Sequence, residues 1–246
     1  MPVEIVSTAD GLERIADQWE ALWRRDPNAT PFQSPQWLLP WWKHFGSDTP
    51  HVIVSSSNGE VNALAPLYIL RDDDSGESLG LFLGTGASDY LDVLGDASLL
   101  IEAITAADCQ LWDLQQLRPS SPLLGVPLPD GWSDNVEDQD PCPVLSIEGA
   151  GEELQNLLST HARKKLRYFR RSLEREGAVT YESATGESLD TLLHALNELH
   201  AARWQKRGLP GVLADEVTQS FHRDAARRML DAGALRMYAT RIDERI

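Results

Sequence analysis

Two hydrophobic periodicities alternate along this chain and predict a mixed α/β fold, sheets flanked by helices, built in two parts. Strand-like runs HVIVS and VNALAPLYIL flank SSNGE, where Asn58 and Gly59 suit a tight hairpin turn that needs positive φ. Longer stretches repeat apolar residues at three- and four-residue steps, as sheet-covering helices do. The charge is also split: residues 1–150 hold six Lys/Arg and twenty-four Asp/Glu, net −18, whereas residues 151–246 hold sixteen and fourteen, net +2. A chain of 246 residues has room for two cores. Two domains are therefore expected, 1–150 and 151–246.

In chain order, Thr8 or Asp10 caps a first helix with Leu12, Ile15, Ala16, Trp19, Leu22 and Trp23 on one face. Ser34 and Pro35 start a second over QWLLPWWKHF, stopped at Gly46 and expected to kink at Pro40. Trp37, Trp41 and Trp42 read as packing residues before ligand contacts, because tryptophan buries a large area. After the hairpin, Asp72, Asp73 and Asp74 lack the alternating ligands of a calcium loop and read as a solvated turn. LGLFLG follows as a strand, Leu99–Ala107 as a short helix, QLWDLQQL as a strand, and PSSPLLGVPLPDGW as loop. PCPVLSI is expected as a strand. AVTYES is another strand, LDTLLHALNELHAARWQKRG a long helix with Leu189, Leu192, Leu193, Leu196 and Leu199 inward, and DEVTQSFHRDAARRML a helix capped by Asp215 and ended by Gly233. ALRMYATRI closes the series as a strand, with a hairpin partner due from Asp243.

The segment Leu154–Gly177, LQNLLSTHARKKLRYFRRSLEREG, stands out in so acidic a protein. Leu154, Leu158, Ala162, Leu166, Phe169 and Leu173 form a stripe expected to face a core, while Arg163, Lys164, Arg167, Arg170 and Arg171 lie mostly off it. Such a face is a solvated surface, an anion site or a nucleic-acid contact. Whole-protein nucleic-acid binding is disfavoured, since the acidic half repels phosphate over a Debye length of roughly 8–10 Å.

Several classes fall away on composition. The first twenty residues hold neither a basic nor an apolar leader region, and no run nears the roughly 18 apolar residues of a membrane span, so cytoplasmic residence is expected. Cys109 and Cys142 read as isolated buried thiols. His194 and His200 stand six apart, wrong for an i, i+4 ligand pair, and no metal site is expected.

One loop invites chemistry. GTGASDYLDVLGD places Gly84 and Gly86 after a strand, able to turn amides toward an anion, with Asp89 and Asp92 behind them to orient or deprotonate an amine. The third glycine of a dinucleotide fingerprint is replaced by Asp89, and a structural turn is the alternative reading.

Taken together, FQSPQWLLPWWKHF, GTGASDYLDVLGD, HARKKLRYFRRSLEREG, and LHAARWQKRG followed by FHRDAARRMLDAGALRMYATRID make nearly the whole chain resemble one family. That family is the CelD-type, cellulose-biosynthesis branch of the GNAT acyltransferases, two GNAT-like halves in tandem, similar in plan to FemAB-type peptidyltransferases. The resemblance implies a GNAT-like mixed sheet followed by an incomplete second GNAT-like half. It implies acyl transfer, with acyl-CoA such as acetyl-CoA as co-substrate and no metal, to an amine or hydroxyl of a saccharide or envelope-related acceptor, as in polysaccharide biosynthesis. In such folds the strand beyond Asp243 offers backbone donors to the thioester oxygen and the following loop holds the pyrophosphate, so this chain is expected to be inactive alone.

Under that reading Asp89 and Asp92 orient the acceptor, Tyr90 donates a proton, and His200, Arg203 and Trp204 are candidates for a cleft between the halves. A satisfied structural histidine is the competing reading for His200. Arg203 and Lys206 also complement the helix dipole. Arg163, Lys164 and Arg167 are candidates for acceptor phosphates, against a solvated or ion-paired face. The alternatives in other classes are a non-catalytic binding or scaffold domain and a nucleic-acid module using residues 154–177. An unpaired terminal strand makes self-association an expectation.

Overall fold

The computed structural model describes residues 2–47, 49–72, 74–139, 141–147 and 156–246. It divides into two compact units, one of Met1–Val136 with Leu199–Leu235 and the other of Glu137–Glu198 with Arg236–Ile246. Residues 199–235, expected in the second half, thus pack within the first unit. Mixed α/β architecture with helix-flanked sheets is what the sequence periodicities predict.

In the first unit, strand β1 (Val3–Val6) leads to helices α1 (Ala9–Arg14), α2 (Ala16–Arg25) and α3 (Pro35–Phe45). Thr8 caps α1 as expected, its Oγ1 accepting the Gly11 N–H at 3.0 Å. The first helix is not continuous, because the chain breaks at Ile15 between α1 and α2. α3 by contrast runs unbroken through Pro40. Proline removes one helical N–H and costs about 3 kcal/mol in a helix interior, and burial of Leu38, Leu39, Pro40 and Trp41 offsets it.

Strands β2 (Thr49–Pro50), β3 (Val52–Ser57), β4 (Glu60–Ala65), β5 (Leu67–Arg71), β6 (Ser78–Phe82), β7 (Leu94–Gly95) and β8 (Leu111–Trp112) form two sheets with orders β1-β3-β4-β7 and β2-β5-β6-β8. Asn58 at φ 53° and Gly59 at φ 82° make the expected tight turn between β3 and β4. The expected strand VNALAPLYIL is divided at Pro66, with β4 in one sheet and β5 in the other. QLWDLQQL contributes only the two residues of β8, paired parallel to β6. β1 was not among the expected strands, although VEIV reads as one.

Strand periodicity sets the core, since successive side chains point to opposite faces. Val52, Val54, Leu64, Tyr68 and Leu81 join Leu12, Trp19, Leu22, Leu38 and Trp41 in one cluster. Their neighbours Ile53, Ala63, Ala65, Leu67 and Phe82 join Leu91, Val93, Leu100 and Ile104 in another. Helix α4 (Ile101–Thr105) supplies Ile104 to that second cluster. Helix α7 (Glu216–Asp231) completes the first, burying Phe221 and Ala225. The Phe221 ring meets Trp37 at 4.7 Å and Phe45 at 5.4 Å between centroids. Lys43 and His44 reach Asp224 Oδ2 at 2.6 and 2.9 Å, and Arg228 reaches Glu13 at 2.8 Å. Asp215 caps α7 and Gly233, at φ 68°, follows its end, both as expected.

In the second unit, helix α5 (Thr160–Glu174) is capped by Ser159 and followed by strand β9 (Val179–Ser183). β9 pairs antiparallel with β10 (Tyr238–Ile242) from Val179↔Ile242 to Ser183↔Tyr238. Asp243 and Glu244 take φ 46° and 69°, and Ile242 and Arg245 exchange backbone hydrogen bonds, so the reversal expected at Asp243 is present. Helix α6 (Leu189–Gln205) begins in this unit. Only Leu189, Leu192 and Leu193 are buried among its described residues.

Three expectations fail here. α5 buries none of its residues, with Leu166 and Phe169 more than half exposed, so its stripe faces no core. Leu154 lies outside the described residues. On α6, Leu196 and Leu199 are exposed, and the inward face stops at Leu193. PCPVLSI forms no strand, and its Val144, Leu145 and Ile147 are exposed. Cys109 is a buried free thiol as expected, but Cys142 is exposed. Among the described residues no helix is long and apolar enough to cross a membrane.

Candidate functional site

Asp92 carries the most unusual environment in the first unit. It sits on the loop between β6 and β7, only 4% exposed, and among the described residues no cation is bonded to it. Its Oδ1 accepts from Ser121 Oγ and from the Val93 N–H, both at 2.8 Å. Ser121 is itself fixed, because its Oγ accepts the Leu123 N–H at 3.2 Å as the cap of a short 3-10 turn over Pro122–Gly125. Asp92 Oδ2 takes no hydrogen bond among the described residues. Burial pushes the carboxyl up to about 6, against the hydrogen bonds from Ser121 and Val93 and the charge of Arg118, with the charge of Asp26 pushing it higher. At neutral pH Asp92 is thus mainly ionised yet close to its titration point, the state suited to accepting a proton.

An open cleft of about 520 Å³ lies against this carboxyl, lined by Arg25, Asp26, Asn28, Asn62, Asp96 and Arg118 among others. Its groups come from distant segments. Asp26 ends α2 and is held by two amides, Oδ1 accepting from Asn28 at 2.8 Å and Oδ2 from Gly95 at 2.7 Å. Gly95 is required there, because it holds φ 74° and a Cβ would come within 2.0 Å of the Asn62 carbonyl oxygen. Arg25 donates to the Val61 carbonyl and Arg118 to the Asn28 carbonyl. Each guanidinium carries five N–H donors, so one tether leaves others for a guest. A second hollow of about 350 Å³ near β1 is lined by Glu4, Asp10 and Arg14. There Arg14 and Glu4 pair with each other and are exposed.

The expected site residues scatter. Asp89 is exposed and does not line the Asp92 cleft. Tyr90 is half-buried against Phe32, with the Arg118 guanidinium 6.0 Å from its ring centroid and its carbonyl accepting from Gln33 Nε2. Gly84 and Gly86 do take positive φ, but the Thr85 and Ala87 amides are used inside the turn, on the Phe82 and Gly84 carbonyls. His200 is half-buried, its ring 6.0 Å from Trp204, and Gly211 closes on both rings. Arg203 is exposed, and the Arg207 guanidinium, not Arg203, lies 5.2 Å from the Trp204 ring. Arg163 is half-buried, while Lys164 and Arg167 are exposed and have no ion pair among the described residues. Asp74 and Ser75 donate their amides to Asp72 Oδ1, which makes that acidic loop a self-contained turn; Asp73 lies outside the described residues. No group of three metal-ligating side chains occurs among the described residues.

Sequence reading missed Arg25, Asp26, Asn62, Arg118 and Ser121. Ser121 did carry a signal, since Ser-Pro before an apolar pair marks a cap. The others carry none, because only the fold brings four separate segments to one place.

No curated protein and no solved structure matches the chain. Residues 160–246, which run from α5 through β9, α6 and α7 to β10, match the acetyltransferase (GNAT) domain family, whose members take acyl-CoA as co-substrate. Arg163, Lys164, Arg167, His200, Arg203 and Trp204 fall within that stretch, Asp89, Tyr90 and Asp92 outside it, and the C-terminal portion of the chain is thereby similar to a GNAT-type acetyltransferase domain.

Proposed function

We propose that this chain serves in acyl transfer, moving an acyl group from acyl-CoA to an amine or hydroxyl of a saccharide or envelope-related acceptor. The observation that carries the reading is the match of residues 160–246 to the acetyltransferase (GNAT) domain. The CelD-like sequence resemblance supports the choice of acceptor. Within the reading, Asp92 holds or deprotonates the acceptor, because it joins burial, an open oxygen and a cleft. Asp89, Tyr90 and His200 are secondary candidates for proton handling. Arg163, Lys164 and Arg167 are candidates for acceptor phosphates, Lys164 and Arg167 as exposed cations, and Arg203 and Trp204 are separate candidates for acceptor contacts.

For an amine acceptor the step is simple in its balance. The nitrogen attacks the thioester carbonyl carbon, a C–N bond forms, the C–S bond breaks, and coenzyme A leaves as the thiol while the amine loses a proton. The protein supplies a base for that proton and a position for the amine.

Calorimetric titration of acetyl-CoA into the 246-residue chain, with thiol release followed on a panel of amines and sugars, tests the reading. Saturable acetyl-CoA binding supports it. Absence of both binding and thiol release overturns it.

A further inference from the structure

We infer that the cleft beside Asp92 is a subsite for the ammonium group of a small hydroxylated amine, of the amino-sugar class, with Asp92 Oδ2 as its acceptor. Calling that guest the acyl acceptor rests on the acyl-transfer reading; the binding site itself does not.

The geometry chooses the cation. Three carboxylates, Asp26, Asp92 and Asp96, line the cleft against two guanidiniums, Arg25 and Arg118. Both oxygens of Asp26 are taken by backbone amides, and Asp96 Oδ1 by Ser98. Both guanidiniums are drawn onto main-chain carbonyls. Asp96 Oδ2 is also unengaged but belongs to an exposed side chain, which leaves Asp92 as the buried carboxyl with an unused oxygen on the cleft wall. The hydrogen bonds from Ser121 and Val93 and the charge of Arg118 offset only part of the desolvation cost of this carboxylate, and a guest ammonium would offset more of it through a charge-assisted hydrogen bond.

Other guests fit less well. A metal ion needs several free oxygen ligands, which the engaged Asp26 does not leave. An anion would face the excess of carboxylates. A purely apolar guest would leave the Asn28 side-chain amide, the Asn62 side-chain oxygen and the spare guanidinium N–H groups without partners. Those same groups suit the hydroxyl oxygens of a polyol, and a volume of about 520 Å³ accommodates one or two sugar rings. Acylation of the bound amine would remove its charge and so weaken the hold of Asp92, which favours release of product.

Glucosamine, galactosamine, glucose and N-acetylglucosamine titrated separately into the full chain without acyl-CoA test the inference, read by calorimetry and by amide chemical shifts. The amino sugars are expected to bind at least about tenfold more tightly than glucose or the N-acetylated sugar, the scale of one lost charged hydrogen bond. Asp92→Asn, whose side-chain oxygen still accepts from Ser121 and Val93, is expected to lose that preference while its thermal melt shows it folded. Lowering the pH to about 5, where Asp92 takes up a proton, is expected to do the same to the unaltered protein. Failure of both amino sugars to bind overturns the inference, as does equal binding of glucose or an unaffected Asp92→Asn. Acetyl-CoA titration is scored independently, so a chain that binds amino sugars and not acetyl-CoA keeps the subsite and loses the acyl-transfer reading.

Discussion

The two units differ in what holds them. The first buries side chains on both faces of its strands, with Trp19, Leu38, Leu64, Phe82 and Phe221 at 0% exposure. The second buries only Leu189, Leu192 and Leu193 among its described residues, while Leu166, Phe169, Tyr181 and Tyr238 are more than half exposed. Both contain amphipathic helices, so the pattern alone does not decide burial. α7 and α5 each carry an apolar stripe beside arginines, yet α7 buries four residues and α5 buries none. A helical stripe states that a partner is wanted, and only the tertiary fold states whether one is supplied.

The sharpest break of this contrast is Phe221→Ala. The ring is fully buried against Trp37 and Phe45, and removal of a buried phenylalanine costs about 3–5 kcal/mol. Urea unfolding is expected to show that loss in a fluorescence transition dominated by the tryptophans of the first unit. A loss under about 1 kcal/mol would mean that α7 does not complete that core.

The next effect has the opposite sign. Asp92 is held near 6 in the folded protein against an ordinary 3.8, so the protonated form is favoured by folding. Its contribution is fully present below the ordinary value and is lost as pH rises through about 6. Asp92→Asn is therefore expected to raise stability near pH 7.5 by on the order of 2–3 kcal/mol and to flatten the decline between about pH 4 and 6. A variant less stable than the parent near pH 7.5 would show that the ionised carboxyl is structural. Such a gain, at one buried carboxyl in a unit otherwise well packed, is the outcome expected if Asp92 holds the amine proposed above.

Asp224 offers a smaller, ordinary electrostatic contrast. The hydrogen bond from Lys43 is the main cause holding its carboxyl below the usual range, with His44 adding to it. Its contribution is present above the ordinary carboxylate value and lost as pH falls below it. Lys43 is 66% exposed, which limits the pair, so Asp224→Asn is expected to cost about 0.5–1 kcal/mol near neutral pH and almost nothing near pH 3. A cost independent of pH would mean that Asp224 acts through packing and not through charge.

How far the sequence foretold all this depends on the range of the signal. Thr8, Asp215 and the Asn58-Gly59 turn were legible because each acts within three residues, through a cap or a positive φ. Alternation along β3 was legible for the same reason, though not the switch of sheets at Pro66. Asp92 was legible as a candidate, but equally so was Asp89, three residues away and exposed. What separates them is Ser121, Asp26 and Arg118, set by contacts between segments tens of residues apart. The return of α7 to the first unit was illegible likewise, since nothing local in FHRDAARRML names Trp37 as its partner.

The smallest expected effect is the most telling about the second unit. Phe169 lies on the α5 stripe, 51% exposed, with Lys165 Nζ 5.8 Å and the Tyr168 ring 5.5 Å from its ring centroid. Both neighbours belong to the same helix, so deleting the ring removes local contacts and no core. Phe169→Ala is expected to shift stability by no more than about 0.5 kcal/mol, against the several kcal/mol of Phe221→Ala. Alanine also has the higher helix propensity, by up to roughly 0.7 kcal/mol, which offsets part of the lost contact. Circular dichroism melts of the two variants, run side by side, decide the matter. A loss at Phe169 comparable to that at Phe221 would show that the stripe of α5 is covered in solution, and would erase the difference between the units.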